Sequence, residues 1–221
     1  MNYPETLLAS VWYVGAFLPL ALAWLWCLRH RPWHSLKDPG SQHVWLGTIV
    51  VLALLWSMQA GVQPGLNFHL LGATACTLMF GPELAILALS VVLAAVTLNS
   101  HLAWSAYGLN ALVMVVLPVG VSHWIRKGME RFLPQNFFVY VFVATFFGSA
   151  ITVLSTGLGT TLLLLLAGPY TADYLFSQYF PYFLLLAFSE SFITGMCLTL
   201  MVVYRPEWVS TFDDKRYLLH K

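Results

Sequence analysis

Charge is what this sequence has least of. Only 9% of its 221 residues are Asp, Glu, Lys or Arg, against 59% hydrophobic and 15% aromatic, whereas a soluble domain is about one quarter charged. A water-exposed surface cannot be built from that, and the composition points to an integral membrane protein. Ten Lys and Arg against nine Asp and Glu leave a net charge of +1, too small and too balanced to attract nucleic acid. Cysteine is scarce too: Cys27, Cys76 and Cys197 stand in separate segments without a CxxC spacing, which argues against a disulfide framework and a cysteine metal cluster. Catalytic signatures are missing as well, with no HExxH, no GxSxG and no glycine-rich phosphate loop followed by Lys. The chain is therefore not expected to be an enzyme. If ATP drives its work, another subunit must supply the ATPase.

Long apolar runs are abundant. A helix crossing the hydrocarbon needs about 20 apolar residues, and 7–28, 43–58, 84–99, 108–125 and 180–204 qualify. Residues 68–80 form a shorter apolar run closed by the turn signal Gly81-Pro82-Glu83 and read as one arm of a hairpin with the run that follows. Residues 137–167 are too long for one upright span and too short for two plus a turn, so one tilted or broken helix is expected. The fold class is an all-α polytopic membrane protein, a compact bundle of about seven transmembrane helices. Residues 1–204 form a single transmembrane domain and 205–221 a short cytoplasmic tail.

The basic residues supply an orientation. They fall in three places: Arg29, Arg31 and Lys37; Arg126, Lys127 and Arg131; Arg205, Lys215, Arg216 and Lys221. Four spans separate the first cluster from the second and two separate the second from the third. One topology puts all of them on the cytoplasmic side, with seven spans, the N-terminus outside and the C-terminus inside. The first residues lack the basic region and small-residue cleavage site of a signal peptide, so the N-terminus is expected to persist. The outer side then carries no positive charge, holds Glu5 and Asp173, and has His69 and His101 at or next to its helix ends. Imidazole and carboxylate without cations suit a cation.

Few polar residues remain as candidates. Met1 offers an α-amine on the outer face. His69 opens an otherwise apolar stretch, where a neutral imidazole either makes an interfacial hydrogen bond or ligates a transition metal. Glu190 lies near the middle of the last span with no Lys or Arg in any span to neutralise it, and an ionised carboxylate there costs about 2.5 kcal/mol or more. It should be protonated, hydrogen-bonded to a neighbouring helix or facing a wet cavity. Thr194 shares its helical face and Asn110 in the fifth span is a candidate partner, so an interhelical polar lock is the structural alternative to a transport role. The aromatic stretch Tyr170–Tyr182 reads as an interfacial belt or as a lid over an outward pocket.

Several segments, in order, resemble the substrate-capture (S) components of energy-coupling factor (ECF) transporters for cobalt and nickel, the CbiM/NikM-like family. That family begins Met-His-Ile-Pro-Asp/Glu-Gly, and this chain begins Met1-Asn2-Tyr3-Pro4-Glu5-Thr6. Phe68-His69-Leu70-Leu71-Gly72, the Gly81-Pro82 turn, Gly108-Leu109-Asn110 with Met114, and Glu190-Ser191-Phe192-Ile193-Thr194 look like further family segments. The resemblance implies a bundle into which the N-terminus folds, binding a divalent metal through the α-amine, the backbone nitrogen and imidazole of residue 2, and a histidine of the third segment. Met1, the backbone of Asn2 and His69 match; the imidazole of residue 2 does not. Without it the square-planar nitrogen set that favours nickel is incomplete, and His101, Glu5 or water would complete a shell suited to zinc or cobalt.

The resemblance thus implies a membrane-embedded component that imports a divalent transition metal ion, cobalt, nickel or zinc, as its substrate, without a tightly bound cofactor. It implies a transmembrane coupling protein and cytoplasmic ATPase subunits as partners, in a bacterial cytoplasmic membrane. Two other readings stand beside it: an S-component-like protein for a small organic nutrient, and a non-transporting structural subunit in which Glu190 and Asn110 only lock helices.

Overall fold

A computed structural model describes residues 3–30, 32–58, 60–61, 63, 65–100 and 103–218. Among the described residues, six helices are long and apolar enough to cross a membrane: α1 (Ser10–Arg29), α2 (Pro39–Ser57), α4 (Pro82–Asn99), α5 (Trp104–Phe132), α6 (Phe137–Ala167) and α7 (Ala172–Tyr204). Between α2 and α4 lie a two-residue antiparallel ladder, β1 (Ala60–Gly61) with β2 (Asn67–Phe68), and the short helix α3 (Ala73–Phe80). A last turn of helix, α8 (Asp214–Tyr217), ends the described chain.

The core of the bundle is apolar, and α6 adds a face of small and polar residues that lets helices approach closely. On α6, Ser149, Thr152, Thr156, Gly157, Thr160 and Thr161 are buried while Phe147, Ile151, Leu158, Leu162 and Leu166 are exposed. Phe183 of α7 sits where a Cβ on Gly157 would stand. Two of the threonines satisfy themselves locally: Thr156 and Thr161 donate to the carbonyls of Thr152 and Gly157, each at 2.8 Å. The expected single long helix over residues 137–167 is present, and a π-helical stretch, Tyr140–Phe147, interrupts its regular α-helical geometry.

The segment 68–80 departs from the expectation of a helical arm. Only its second half is helical, and α3, with eight residues, is about 12 Å long. The first half is extended. Its course is fixed by contacts along α7: the Phe68 ring packs on Tyr179, Tyr182 and Phe183 at 5.2–5.6 Å, Leu71 and Gly72 meet Glu190 at mid-helix, and the carbonyls of Leu78 and Met79 accept from Thr211 and Ser210, just beyond the end of α7. Four extended residues add about 13 Å, so this stretch runs most of the bundle thickness. This third segment, part extended and part helical, runs beside α7.

Gly72 makes the break possible. Its φ of +65° is left-handed, and a Cβ there would collide with Leu52 of α2, so only glycine suits both the turn and the approach. At the other end, residues 206–217 are folded against the bundle. Phe212 stacks on Tyr217, and both pack on Tyr140, while Arg216 donates to Gln135 at 2.7 Å. The described residues nearest the two termini lie at opposite ends of the bundle, with Glu5 beside Ser105 and Ser210 beside Met79.

Candidate functional site

An interrupted helix exposes backbone donors and acceptors, which in a membrane must all find partners inside the protein. The extended half of the third segment finds them among side chains. Leu71 N–H donates to Glu190 Oε2 at 2.8 Å and Gly72 N–H to Glu190 Oε1 at 2.6 Å, while the Leu71 carbonyl accepts from Trp56 Nε1 at 3.0 Å. The two amides lie at the start of α3, where the helix dipole also favours a carboxylate. Glu190 therefore compensates a break in the backbone without any basic side chain. With Thr194 it also lines a largely apolar cavity of about 490 Å³ between α2 and α7.

His69 sits two residues before that clamp and is only 4% exposed. Its ring lies 4.7 Å from that of Trp56. Nδ1 is 3.1 Å from the Leu70 carbonyl, which can only accept, so Nδ1 donates and the lone pair of the neutral ring belongs to Nε2. Among the described residues Nε2 has no partner although it is buried. A carbonyl fixing the tautomer from one side while the other nitrogen stays free is how metal-ligating histidines are set up.

The N-terminal segment is folded into the same region. Tyr3 is fully buried: its N–H donates to Asn110 Oδ1 at 2.8 Å, and Asn110 Nδ2 donates back to its carbonyl at 3.3 Å. One side-chain amide thus pairs with the backbone as a neighbouring strand would. Tyr13 adds a second tie, donating to the Pro4 carbonyl at 2.5 Å while accepting from Leu8 N–H at 3.2 Å. Ser105 donates to Glu5 Oε2 at 2.7 Å. Tyr3 packs by Gly65, where an added Cβ would meet its ring at 3.2 Å, and so borders the loop leading to His69. Burial pushes the Tyr3 phenol well above its usual range, so it stays neutral.

A family model described as the cobalt uptake substrate-specific transmembrane region, CbiM, matches residues 2–208. The chain belongs to the CbiM family. It is a multi-pass membrane component of metal uptake and not an enzyme. The fold of this CbiM-family protein is similar to that of a solved chain described as a transition metal transporter, with a TM-score of 0.73 and 18% identity over 91% of this chain and 92% of that chain. No curated protein matches it in sequence.

Of the metal candidates, Met1, Asn2 and His101 lie outside the described residues. Among the described residues His69 has a buried nitrogen with no partner, whereas Glu5 is exposed and engaged by Ser105. Among the described residues no group of three or more His, Cys, Asp or Glu is arranged to hold a metal ion. The polar lock on Glu190 is present, but Asn110 is not its partner. Asn110 holds Tyr3, and Glu190 holds the amides of Leu71 and Gly72, because a break in a membrane helix needs acceptors more than a second side chain does. The roles of Tyr13, Trp56 and Asn110 are not legible in the sequence, since each acts on a backbone group, and backbone groups carry no residue signal. The aromatic stretch after residue 170 contributes Tyr179 and Tyr182 to the packing around Phe68.

Proposed function

We propose that this CbiM-family protein is the substrate-binding (S) component of an ECF-type ABC transporter that captures a divalent transition metal ion, cobalt, nickel or zinc, from outside a bacterial cytoplasmic membrane. In this reading its partners are a transmembrane coupling protein and cytoplasmic ATPase subunits. The observation that carries the reading is the buried, unpartnered Nε2 of His69, with its tautomer set by the Leu70 carbonyl. Supporting it is the Tyr3–Asn110 pair, which holds the chain inside the bundle at the third residue, close in sequence to the proposed amine ligand. Basic residues confined to three segments support a terminus that faces outward.

The ligands in this reading are the Met1 amine, the backbone nitrogen of Asn2 and His69 Nε2, with His101, Glu5 or water completing the shell. Nitrogen donors suit these metals, and the missing imidazole at residue 2 favours a tetrahedral preference over a square-planar one. The test is uptake of cobalt, nickel and zinc by cells expressing the protein with a coupling protein and ATPases, wild type against His69→Ala. Uptake that depends on His69 is expected. Uptake unchanged by the substitution would sink the reading.

A further inference from the structure

The last third of α5 carries a charged face that metal capture does not use. From Trp104 to Phe132 the helix is about 43 Å long, more than the roughly 30 Å of hydrocarbon, so one end projects beyond the apolar layer. On that end Trp124, Lys127, Gly128 and Arg131 share one side. They line a cavity of about 480 Å³ closed from the tail by Arg216. The cavity faces three cations, Lys127, Arg131 and Arg216, and one carboxylate, Glu130. Glu130 is already engaged by Arg126 and lies 3.6 Å from Arg216. Lys127 and Arg131 are exposed and, among the described residues, have no ion pair. Their attraction for an anion is unspent.

The depth of the cavity narrows the anion. Trp124 and Phe132 flank it at 75% and 77% exposure, and such aromatic rings belong at the level of lipid headgroups. We propose that this cavity binds the phosphate-bearing headgroup of an anionic phospholipid, with Lys127 and Arg131 contacting the phosphate and Trp124 and Phe132 lying along the glycerol and upper acyl chain. Gly128 is the floor: a Cβ there would meet nothing within 4 Å, so the helix leaves open space between the two cations. The proposal rests on the orientation that the basic residues imply, not on the metal site. Anionic lipid on the cytoplasmic leaflet would then hold this end of the bundle at the interface.

Each basic residue near an anionic surface strengthens binding about fivefold, so the pair should favour anionic over zwitterionic lipid by about 25-fold. The experiment incubates the purified full-length protein with phosphatidylglycerol or phosphatidylcholine at equal concentration and counts retained lipid by native mass spectrometry. Wild type should keep phosphatidylglycerol, and both Lys127→Gln/Arg131→Gln and Gly128→Glu should lose that preference. The two lesions are independent, one removing charge and the other filling the floor with an acid, and circular dichroism reports folding of each. Equal retention of the two lipids by wild type would overturn the proposal. So would a preference surviving in the folded variants, which would assign this face to a protein partner. A further arm adds millimolar inorganic phosphate: lipid that stays bound is the expected result, and lipid displaced by phosphate alone would make the ligand free phosphate instead.

Discussion

Replacing Glu190 with Gln keeps shape and removes one acceptor. The carboxylate accepts two separate backbone donors, Leu71 N–H on one oxygen and Gly72 N–H on the other. A glutamine has one carbonyl oxygen, so one amide loses its acceptor and faces an NH2 group. A buried donor left unsatisfied costs about 1–3 kcal/mol. For a chain of this size, 1 kcal/mol corresponds to about 2–4 °C in Tm, so Glu190→Gln should melt about 2–12 °C lower than wild type. Glu190→Ala, which strands both amides, should cost about 2–6 kcal/mol. Because His69 lies two residues before the clamp, Glu190→Gln should also loosen metal binding, by the 10–100-fold typical when a group supporting a ligand is lost. Thermal unfolding of the purified protein, followed with and without metal, measures both effects. A glutamine variant that melts and binds metal like wild type would refute the claim that Glu190 holds the broken third segment in place.

Three other outcomes follow from the same geometry. Asn110→Leu leaves the Tyr3 N–H and carbonyl without partners and should weaken metal binding about 10–100-fold with a stability loss of about 1–3 kcal/mol; titration calorimetry reads the first and melting the second. Gly72→Ala meets both a left-handed backbone and the Leu52 side chain, so a loss of at least about 1–2 kcal/mol in thermal stability is expected. Metal affinity should fall as pH drops, because the α-amine and imidazole must shed protons to bind and protons then compete with the ion; affinity measured at several pH values checks the sign.

Much of the bundle can be read from hydropathy, because in lipid the length of an apolar run is itself the structural constraint. The helix over 137–167 and the turn at Gly81-Pro82 follow from that rule. The break in the third segment does not, since hydropathy responds to apolar side chains and is blind to φ. Gly72 at +65° divides an apolar run into strand and helix without changing its composition. Glu190 could be singled out as a buried carboxylate in need of a partner, but that partner is backbone, which every residue has. Asn110 shows the same limit from the other direction. A buried amide pairs as readily with a peptide group as with a carboxylate, and only the fold brings Tyr3 to it across 107 positions. Met1 follows from the outward-facing terminus, Asn2 from the resemblance and His101 from the histidine pattern, and all three fall outside the described residues.

The central claim is that a divalent transition metal sits where the amino terminus meets His69. Elemental analysis of the purified protein, carrying its native N-terminus and a tag only at the C-terminus, tests this most directly. The account predicts about one equivalent of cobalt, nickel or zinc per chain, lost both on His69→Ala and when a tag is fused ahead of Met1. Metal retained at the same stoichiometry in those two proteins would contradict it.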